Sequence, residues 1–442
     1  MTAATARAAL AGFWAALGED PSDIEDIPAV AVPLPARLPV AELAWAAIQA
    51  ASLAFARIAD AGPTRLDGAR IAAAYRSDRH LRIDATASAA WAPLSGFWRT
   101  SDGWVRTHGN YPWHAAALLR ALGLAELSAE DVAERLATMP TAAACIAIEA
   151  QGGLCVPVHP ERAAVDAALR LDPVVRLVRS GGGGAPIPLP SPTPIAPLRG
   201  VRVLDLTRVI AGPVCTRTLA LAGADVLRID RPDRREFPWQ HLDTGHGKRS
   251  ALLDLAGDRA AFDDLLADAD VVVLGYRPDS LARLGLSPAA LHAVHPHLVV
   301  AQLSAWGSPE RRGFDSLVQA ASGISWIESA SGDAPGVLPA QALDHTAGYL
   351  LAAAITTALR RRAVEGGRWI AETSLRRVAA ELLALPRHAE SVGEAPPADP
   401  ETQLFEVAGA SVRTVVPAVA WAGGPTAFAP PRPWGEDQAV WR

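Results

Sequence analysis

Between residues 201 and 303 the chain alternates short apolar runs with helical stretches. The runs are Val201–Leu206, Asp225–Ile229, Asp270–Leu274 and Leu298–Leu303. Each is short and mostly apolar, the pattern of a strand buried on both faces of a parallel sheet. The stretches between them, Val214–Ala222, Asp258–Ala267 and Pro288–Val294, carry helical patterning. Ser287 followed by Pro288 is an N-cap with a proline at the first helical position. Strands alternating with helices predict βαβ units and an α/β fold, a Rossmann-like open parallel sheet with flanking helices. Ligands of such sheets bind beyond the carboxyl ends of the strands. The loops Thr207–Pro213, Asp230–Arg235, Gly275–Arg283 and Ser304–Arg312 all leave such ends. Neither a G-x-G-x-x-G after the first strand nor a G-x-x-x-x-G-K-[ST] occurs.

The first 195 residues follow another pattern. Ala-rich helical stretches occupy Ala41–Ala61 and Ala115–Leu122, and Ser128 with Asp131 starts a further helix as a capping box. Between them, Ser101-Asp102-Gly103 separates two aromatic runs across Phe97–Trp113, which predicts a β-hairpin. The patch His108, Asn110, Tyr111 and Trp113 follows it. Gly181–Gly184 and the six prolines up to Pro197 combine a flexible and a stiff extended composition, that of a linker. The expected organisation is a smaller α+β region over residues 1–179, a linker over 180–198, a Rossmann-like domain over 199–385, and a tail over 386–442 that returns to the fold.

Composition narrows the picture. The chain has 442 residues, half of them hydrophobic, with a net charge of −6. That suits two to three globular domains and gives no reason to expect nucleic acid or a membrane surface as partner. Apolar stretches break well before a spanning length of about 20 residues. Met1 to Leu17 lacks the basic start and cleavage pattern of a signal peptide. Cys145, Cys155 and Cys215 form no metal-ligand spacing, and three cysteines argue against a disulfide framework, so a cytoplasmic location is expected. Cys215 lies near the first of the strand-end loops and reads as a core residue.

Asp344 is the carboxylate that stands out. It ends the extended segment from Leu338 and precedes the Ala/Leu-rich run Tyr349–Leu359. A carboxylate at a helix start is either a nucleophile or an ordinary N-cap.

The order of motifs upstream bears on that choice. Leu204-Asp205-Leu206-Thr207-Arg208-Val209-Ile210-Ala211-Gly212-Pro213 opens a series. It continues with Leu221-Ala222-Gly223-Ala224-Asp225-Val226, then Gly247-Lys248-Arg249-Ser250, then Ala269-Asp270-Val271-Val272-Val273-Leu274-Gly275-Tyr276-Arg277-Pro278, then Leu281-Ala282-Arg283-Leu284-Gly285. Over about residues 197–375 the chain resembles the family III CoA-transferases, which include formyl-CoA and carnitine-CoA transferases and alpha-methylacyl-CoA racemase. The hairpin near Asp102-Gly103-Trp104-Val105 resembles that family's small domain, more weakly. The family's usual order is large domain, small domain, returning tail, so this chain looks permuted or rearranged.

The resemblance implies that Asp344 is a covalent nucleophile. It would carry CoA as an aspartyl thioester between an acyl-CoA and a carboxylic acid, with CoA as substrate and no permanently bound cofactor. Arg231, Arg283, Lys248, Arg249 and Arg277 would hold the CoA phosphates, and Val209, Ile210 and Ala211 would line the nucleotide. The start of the Asp344 helix would supply oxyanion donors and help keep the carboxylate ionised. A homodimer is among the implied partners. In some members a glycine-rich loop closes over the active site, the other reading of Gly181–Gly184. Two departures stand out. Phe314, in Gly313-Phe314-Asp315, replaces a histidine of the racemase branch, which disfavours racemisation unless His345 substitutes. His246 stands where an asparagine often precedes the Lys248 block. The alternatives to a transferase are an acyl-CoA racemase or isomerase, or a non-catalytic CoA-binding partner subunit.

Overall fold

The computed structural model describes residues 1–62, 65–181 and 184–442. Its largest sheet has seven strands in the spatial order Val175–Ser180, Arg368–Ser374, Val299–Ser304, Val271–Leu274, Arg202–Leu206, Asp225–Asp230, Lys248–Leu252. Six strands run parallel, and Val175–Ser180 pairs antiparallel with Arg368–Ser374 at the edge. Taken in chain order, the six parallel strands have the arrangement 3-2-1-4-5-6 of doubly wound dinucleotide-binding folds. The four expected strands all form, each within one residue of its predicted ends. Val271–Leu274 has every residue buried, as a strand covered on both faces requires.

Helix Ala342–Glu365 carries Asp344 through the middle of the molecule. Every residue from Ala342 to Leu359 is buried. Helices Val40–Ala59 and Ala211–Leu221 pack against it. Val40–Ala59 is buried everywhere except Arg57 and Ile58. A helix apolar all round belongs inside a core, and its alanines permit close approach. The region 1–179, expected as one small-domain-like unit, is therefore divided. Residues 3–75 share the main core with the sheet, through Trp14, Trp45, Phe55 and Tyr75. A separate core forms around Leu94, Trp98, Val105, Leu118, Leu136 and Ile148.

That second unit contains the expected hairpin, Phe97–Arg99 with Trp104–Thr107, extended by Cys155–Pro157. Ser128 accepts a hydrogen bond from Asp131 N at 3.1 Å, the predicted cap. All three cysteines are buried and free, with Cys145 and Cys155 sulfurs 3.5 Å apart.

Val175–Ser180 ends the smaller region as a sheet strand. Gly182 and Gly183, half of the expected glycine linker, lie outside the described residues. From Gly184 to Leu198 the chain has neither helix nor strand and crosses the surface, held by Ile187 N on Arg362 O and Trp421 Nε1 on Pro194 O. The tail from 386 forms the hairpin Thr402–Val407 and Ala410–Val415. It then covers the exposed sheet edge, where Asp437 accepts from Ser250 N and its own N–H reaches Ser250 O. Covering an edge in this way removes a site for unwanted strand pairing. No helix among the described residues is long and apolar enough to cross a membrane.

Candidate active site

A cleft of about 460 Å³ opens over the carboxyl ends of the parallel strands. Leu303 and Ser304, Gly275 and Tyr276, Arg208 and Val209, Arg231, and Leu375 reach it from five different strand ends. This is the crevice that the doubly wound topology creates. Tyr111, Trp113, His114 and Leu154 close it from the smaller region. Six arginines line it, Arg208, Arg231, Arg234, Arg277, Arg311 and Arg312, against a single carboxylate, Asp344.

Asp344 sits in the first turn of its helix, whose N-cap is Gln341, so it is not the cap. Asp315 takes that role from another helix. Its Oδ2 accepts the N–H groups of Leu343 at 2.9 Å and Asp344 at 3.0 Å, while Gln319 donates to its Oδ1. Gln319 Oε1 in turn accepts Leu338 N at 3.1 Å, tying down the segment before Asp344. No described residue donates to the Asp344 side chain. Burial, then the Asp315 carboxylate, pushes the Asp344 carboxyl well above the usual carboxylate range. Burial likewise raises Asp315 to about 6.

Two expectations change here. The helix-start amides named as oxyanion donors are already bonded to Asp315. Burial and the like-charged neighbour also outweigh the helix dipole, which acts only modestly near a helix end.

Gly348, one turn on, lets the Asp344 helix approach the first strand-end loop. A Cβ there would lie 2.5 Å from Ala211 O. In that loop Val209 has φ +73°, strained for a β-branched residue. Glu236 holds it. This buried carboxylate accepts Val209 N at 3.2 Å, Arg208 Nε at 3.1 Å, Arg228 Nη2 at 3.4 Å and the Tyr111 hydroxyl at 2.7 Å. Although burial alone would raise it, Arg208 and Arg228 hold its carboxyl down at about 2. The hub thus joins the smaller region to the cleft floor.

Of the residues expected from sequence, Asp344, Val209, Ala211, Arg231 and Arg277 line the cleft, and Ile210, Lys248, Arg249 and Arg283 do not. Lys248 is buried in the core, its Nζ 3.0 Å from Asp205 and 2.9 Å from Pro213 O. Arg249 grips Asp225 through two bonds and also Val440 O. Arg283 is exposed and paired with Asp279. Each has a carboxylate partner: Asp205, two strands away, for Lys248; Asp225, on the adjacent strand, for Arg249; and Asp279, one helical turn away, for Arg283, while Arg231 on the cleft is likewise paired with Asp233. His345 points away from the cleft, stacked on Tyr75 with centroids 5.1 Å apart. Arg208, Arg234, Arg311, Arg312 and His114 were not singled out. The signal for four of them was there, since they sit in the strand-end loops. Arg231 and Tyr276 also border a second, apolar cleft of about 190 Å³ walled by Leu253, Leu255 and Leu281.

An open, mostly parallel sheet with an arginine-lined cleft around one buried carboxylate suits an anionic ligand. Residues 198–412 match the model of the CoA-transferase family III. The chain is 32% identical over 210 residues to the probable fatty acyl-CoA transferase Rv3272 of Mycobacterium tuberculosis, covering 43% of this chain and 53% of that one. It is 31% identical over 186 residues to a formyl-CoA:oxalate CoA-transferase of Rhodopseudomonas palustris, covering 38% of this chain and 44% of the relative. A crystal structure of the Mycobacterium tuberculosis protein aligns with TM-score 0.41 at 32% identity, over 43% of this chain and 58% of that one. The matched stretch thus spans about half the length of these relatives.

Proposed function

We propose that this chain is an acyl-CoA:carboxylate CoA-transferase working through a covalent aspartyl-CoA thioester at Asp344. The observation that carries the reading is the lone, unbonded carboxylate of Asp344 in a cleft whose other charges are arginines. The match of residues 198–412 to the CoA-transferase family III model supports it.

In this mechanism the ionised Asp344 attacks the acyl-CoA thioester carbonyl. The C–S bond breaks, CoA leaves as thiolate, and a mixed anhydride remains. The thiolate attacks the aspartyl carbonyl and releases the first acid, leaving Asp344 as a CoA thioester. The acceptor carboxylate attacks that carbonyl, and the thiolate it expels attacks the new anhydride. A new acyl-CoA leaves and the Asp344 carboxylate returns, with no net change in protons or electrons. Covalent catalysis divides one hard exchange into easier steps.

The chain's residues have distinct parts in this reading. Arg231, Arg277 and Arg312 take the CoA phosphates, since guanidinium matches phosphate with paired N–H groups. The apolar cleft beyond Arg231 takes the adenosine. The helix that begins at Ala211 opens beside Asp344, and its positive end replaces the Asp344 helix as the source of oxyanion stabilisation. Tyr111, Trp113 and Leu154 keep water from the anhydride and thioester. A homodimer belongs to the same reading and is checked by light scattering.

The test is to incubate the protein with an acyl-CoA and analyse the Asp344 peptide by mass spectrometry. A hydroxylamine-sensitive CoA adduct on Asp344, missing in Asp344→Asn, is expected. Alpha-carbon deuterium exchange with neither adduct nor transfer would instead identify an isomerase.

A further inference from the structure

Four side-chain nitrogens on one wall of the smaller region lack partners: Trp104 Nε1, Arg106 Nε, His108 Nδ1 and His114 Nδ1. Trp104, Arg106 and His108 alternate along the chain and so share one side of the strand and its extension. Arg106, His108 and His114 are each only 6% exposed. Among the described residues Arg106 makes no side-chain hydrogen bond and no ion pair. Trp91 and Phe97 lie over its guanidinium at 4.8 and 4.7 Å, which leaves its in-plane N–H groups to find an acceptor. Arginine stays charged at any ordinary pH, so this is a buried cation without a counter-ion. Such a charge costs folding free energy unless something pairs with it.

The wall meets the Asp344 cleft at His114 and Phe314, while Arg106 and His108 are not part of the cleft lining. His108 stacks on Phe314 with centroids 3.9 Å apart, and His114 meets the same ring at 6.2 Å. Phe314 and His114 line the cleft with Asp344. Burial pushes the two imidazoles down, to about 3 for His108 and about 4 for His114. They are neutral at pH 7, and each offers one N–H. The group that would complete this wall is an in-plane acceptor with a negative charge, which is a carboxylate.

We propose that Arg106, with His108 and His114, binds the carboxylate at the non-reacting end of the acid that exchanges CoA, so that the acid is a dicarboxylate. This rests on the transferase reading. The reacting carboxylate is the weaker candidate for the site. It loses its charge each time it becomes an anhydride or a thioester, and Arg106 would then lie uncompensated for part of every cycle. A distal carboxylate stays ionised throughout. The CoA phosphates have their own arginines at the strand ends.

The test uses the full chain and needs no turnover. Unbranched dicarboxylates from malonate to adipate, and monocarboxylates of the same lengths, are titrated into the wild type, Asp344→Asn and Arg106→Met. Binding is read by calorimetry and by the fluorescence of tryptophans such as Trp91. At least one dicarboxylate is expected to bind the wild type and Asp344→Asn alike, and its monocarboxylate partner more weakly. Arg106→Met should lose about 10- to 100-fold in dicarboxylate affinity. Its Tm should be unchanged or higher, because it removes an unpaired charge. Equal binding by the Arg106→Met variant, or no dicarboxylate binding by the wild type, overturns the proposal. So does a fall in Tm with binding retained, which assigns Arg106 to packing alone. Binding that persists without any aspartyl adduct keeps the site and overturns the transferase reading instead.

Discussion

Asp315 caps the helix that carries Asp344: one carboxylate oxygen accepts the amides of Leu343 and Asp344 at 2.9 and 3.0 Å. The same contact positions Asp344 and places a second carboxylate behind it. With burial, that neighbour raises the proton affinity of Asp344.

A pH dependence follows. The Asp344 carboxyl is raised, so the ionised nucleophile is lost at a higher pH than for an ordinary aspartate. Transfer at low acyl-CoA concentration should fall as pH drops, with an apparent pKa above the usual carboxylate range. Asp315→Asn removes the like charge but keeps an oxygen to accept the two amides, so it should lower that apparent pKa, whereas Asp315→Ala also loses the cap, at about 0.5–2 kcal/mol of stability. The folded state holds protons that the unfolded chain releases, so wild-type stability should decline from about pH 4 upward through the raised values. Asp344→Asn should therefore gain in Tm over wild type as pH rises, and should show no transfer. Melting curves at several pH values check the first outcome. An unchanged apparent pKa in Asp315→Asn would rule out the coupling.

The arginines and Lys248 should respond differently. On the proposed reading Arg231→Ala and Arg277→Ala each remove one phosphate contact, of about 1.5–3 kcal/mol for a charged hydrogen bond. The KM for acyl-CoA should rise roughly ten- to a hundred-fold with little change in that of the acid. Lys248→Ala leaves Asp205 buried without its cation and should cost about 3–5 kcal/mol of stability. Urea unfolding and steady-state kinetics separate the two effects.

Glu236 is a further point of attack. Glu236→Gln removes the charge that faces both Arg208 and Arg228 and weakens the hold on Val209. A loss of about 3–5 kcal/mol is expected, with a rise in KM for acyl-CoA. Tyr111→Phe removes one hydrogen bond and should cost about 1 kcal/mol or somewhat more. The depressed carboxyl of Glu236 contributes stability above the unfolded range near 4.5, lost as pH falls toward about 2. The stability gap between wild type and Glu236→Gln should therefore close over that interval.

Truncation tests the shared core. A chain of residues 196–442 loses the helix Val40–Ala59 and exposes the apolar flank of the nucleophile helix. It should aggregate on expression. Joining residues 88 and 158 directly removes the smaller core only, and should give a folded protein with poor transfer. A soluble, active 196–442 fragment would show that residues 3–75 are dispensable.

Much of this was legible in the sequence, for a local reason. Runs such as Val271–Leu274 are apolar without alternation, and only a strand covered on both faces suits that pattern. The strand-end loops, the hairpin around Ser101–Gly103 and the Ser128 cap depend on neighbours close in the chain, so residue order reveals them. The Asp344 block was readable because its motifs arrive in a fixed sequence. Tertiary structure alone decided which cations are free. Lys248 and Arg249 looked like phosphate ligands until the sheet set Arg249 against Asp225 on the adjacent strand and Lys248 against Asp205 two strands away, which lie 24 and 43 residues earlier. It also decided that Asp315 rather than Asp344 is the cap, that helix Val40–Ala59 belongs to the main core, and that Arg106 is buried with no ion-pair partner among the described residues. Sequence records a side chain's chemistry and its near neighbours. Burial and charge pairing depend on contacts between distant segments, and those exist only once the chain has folded.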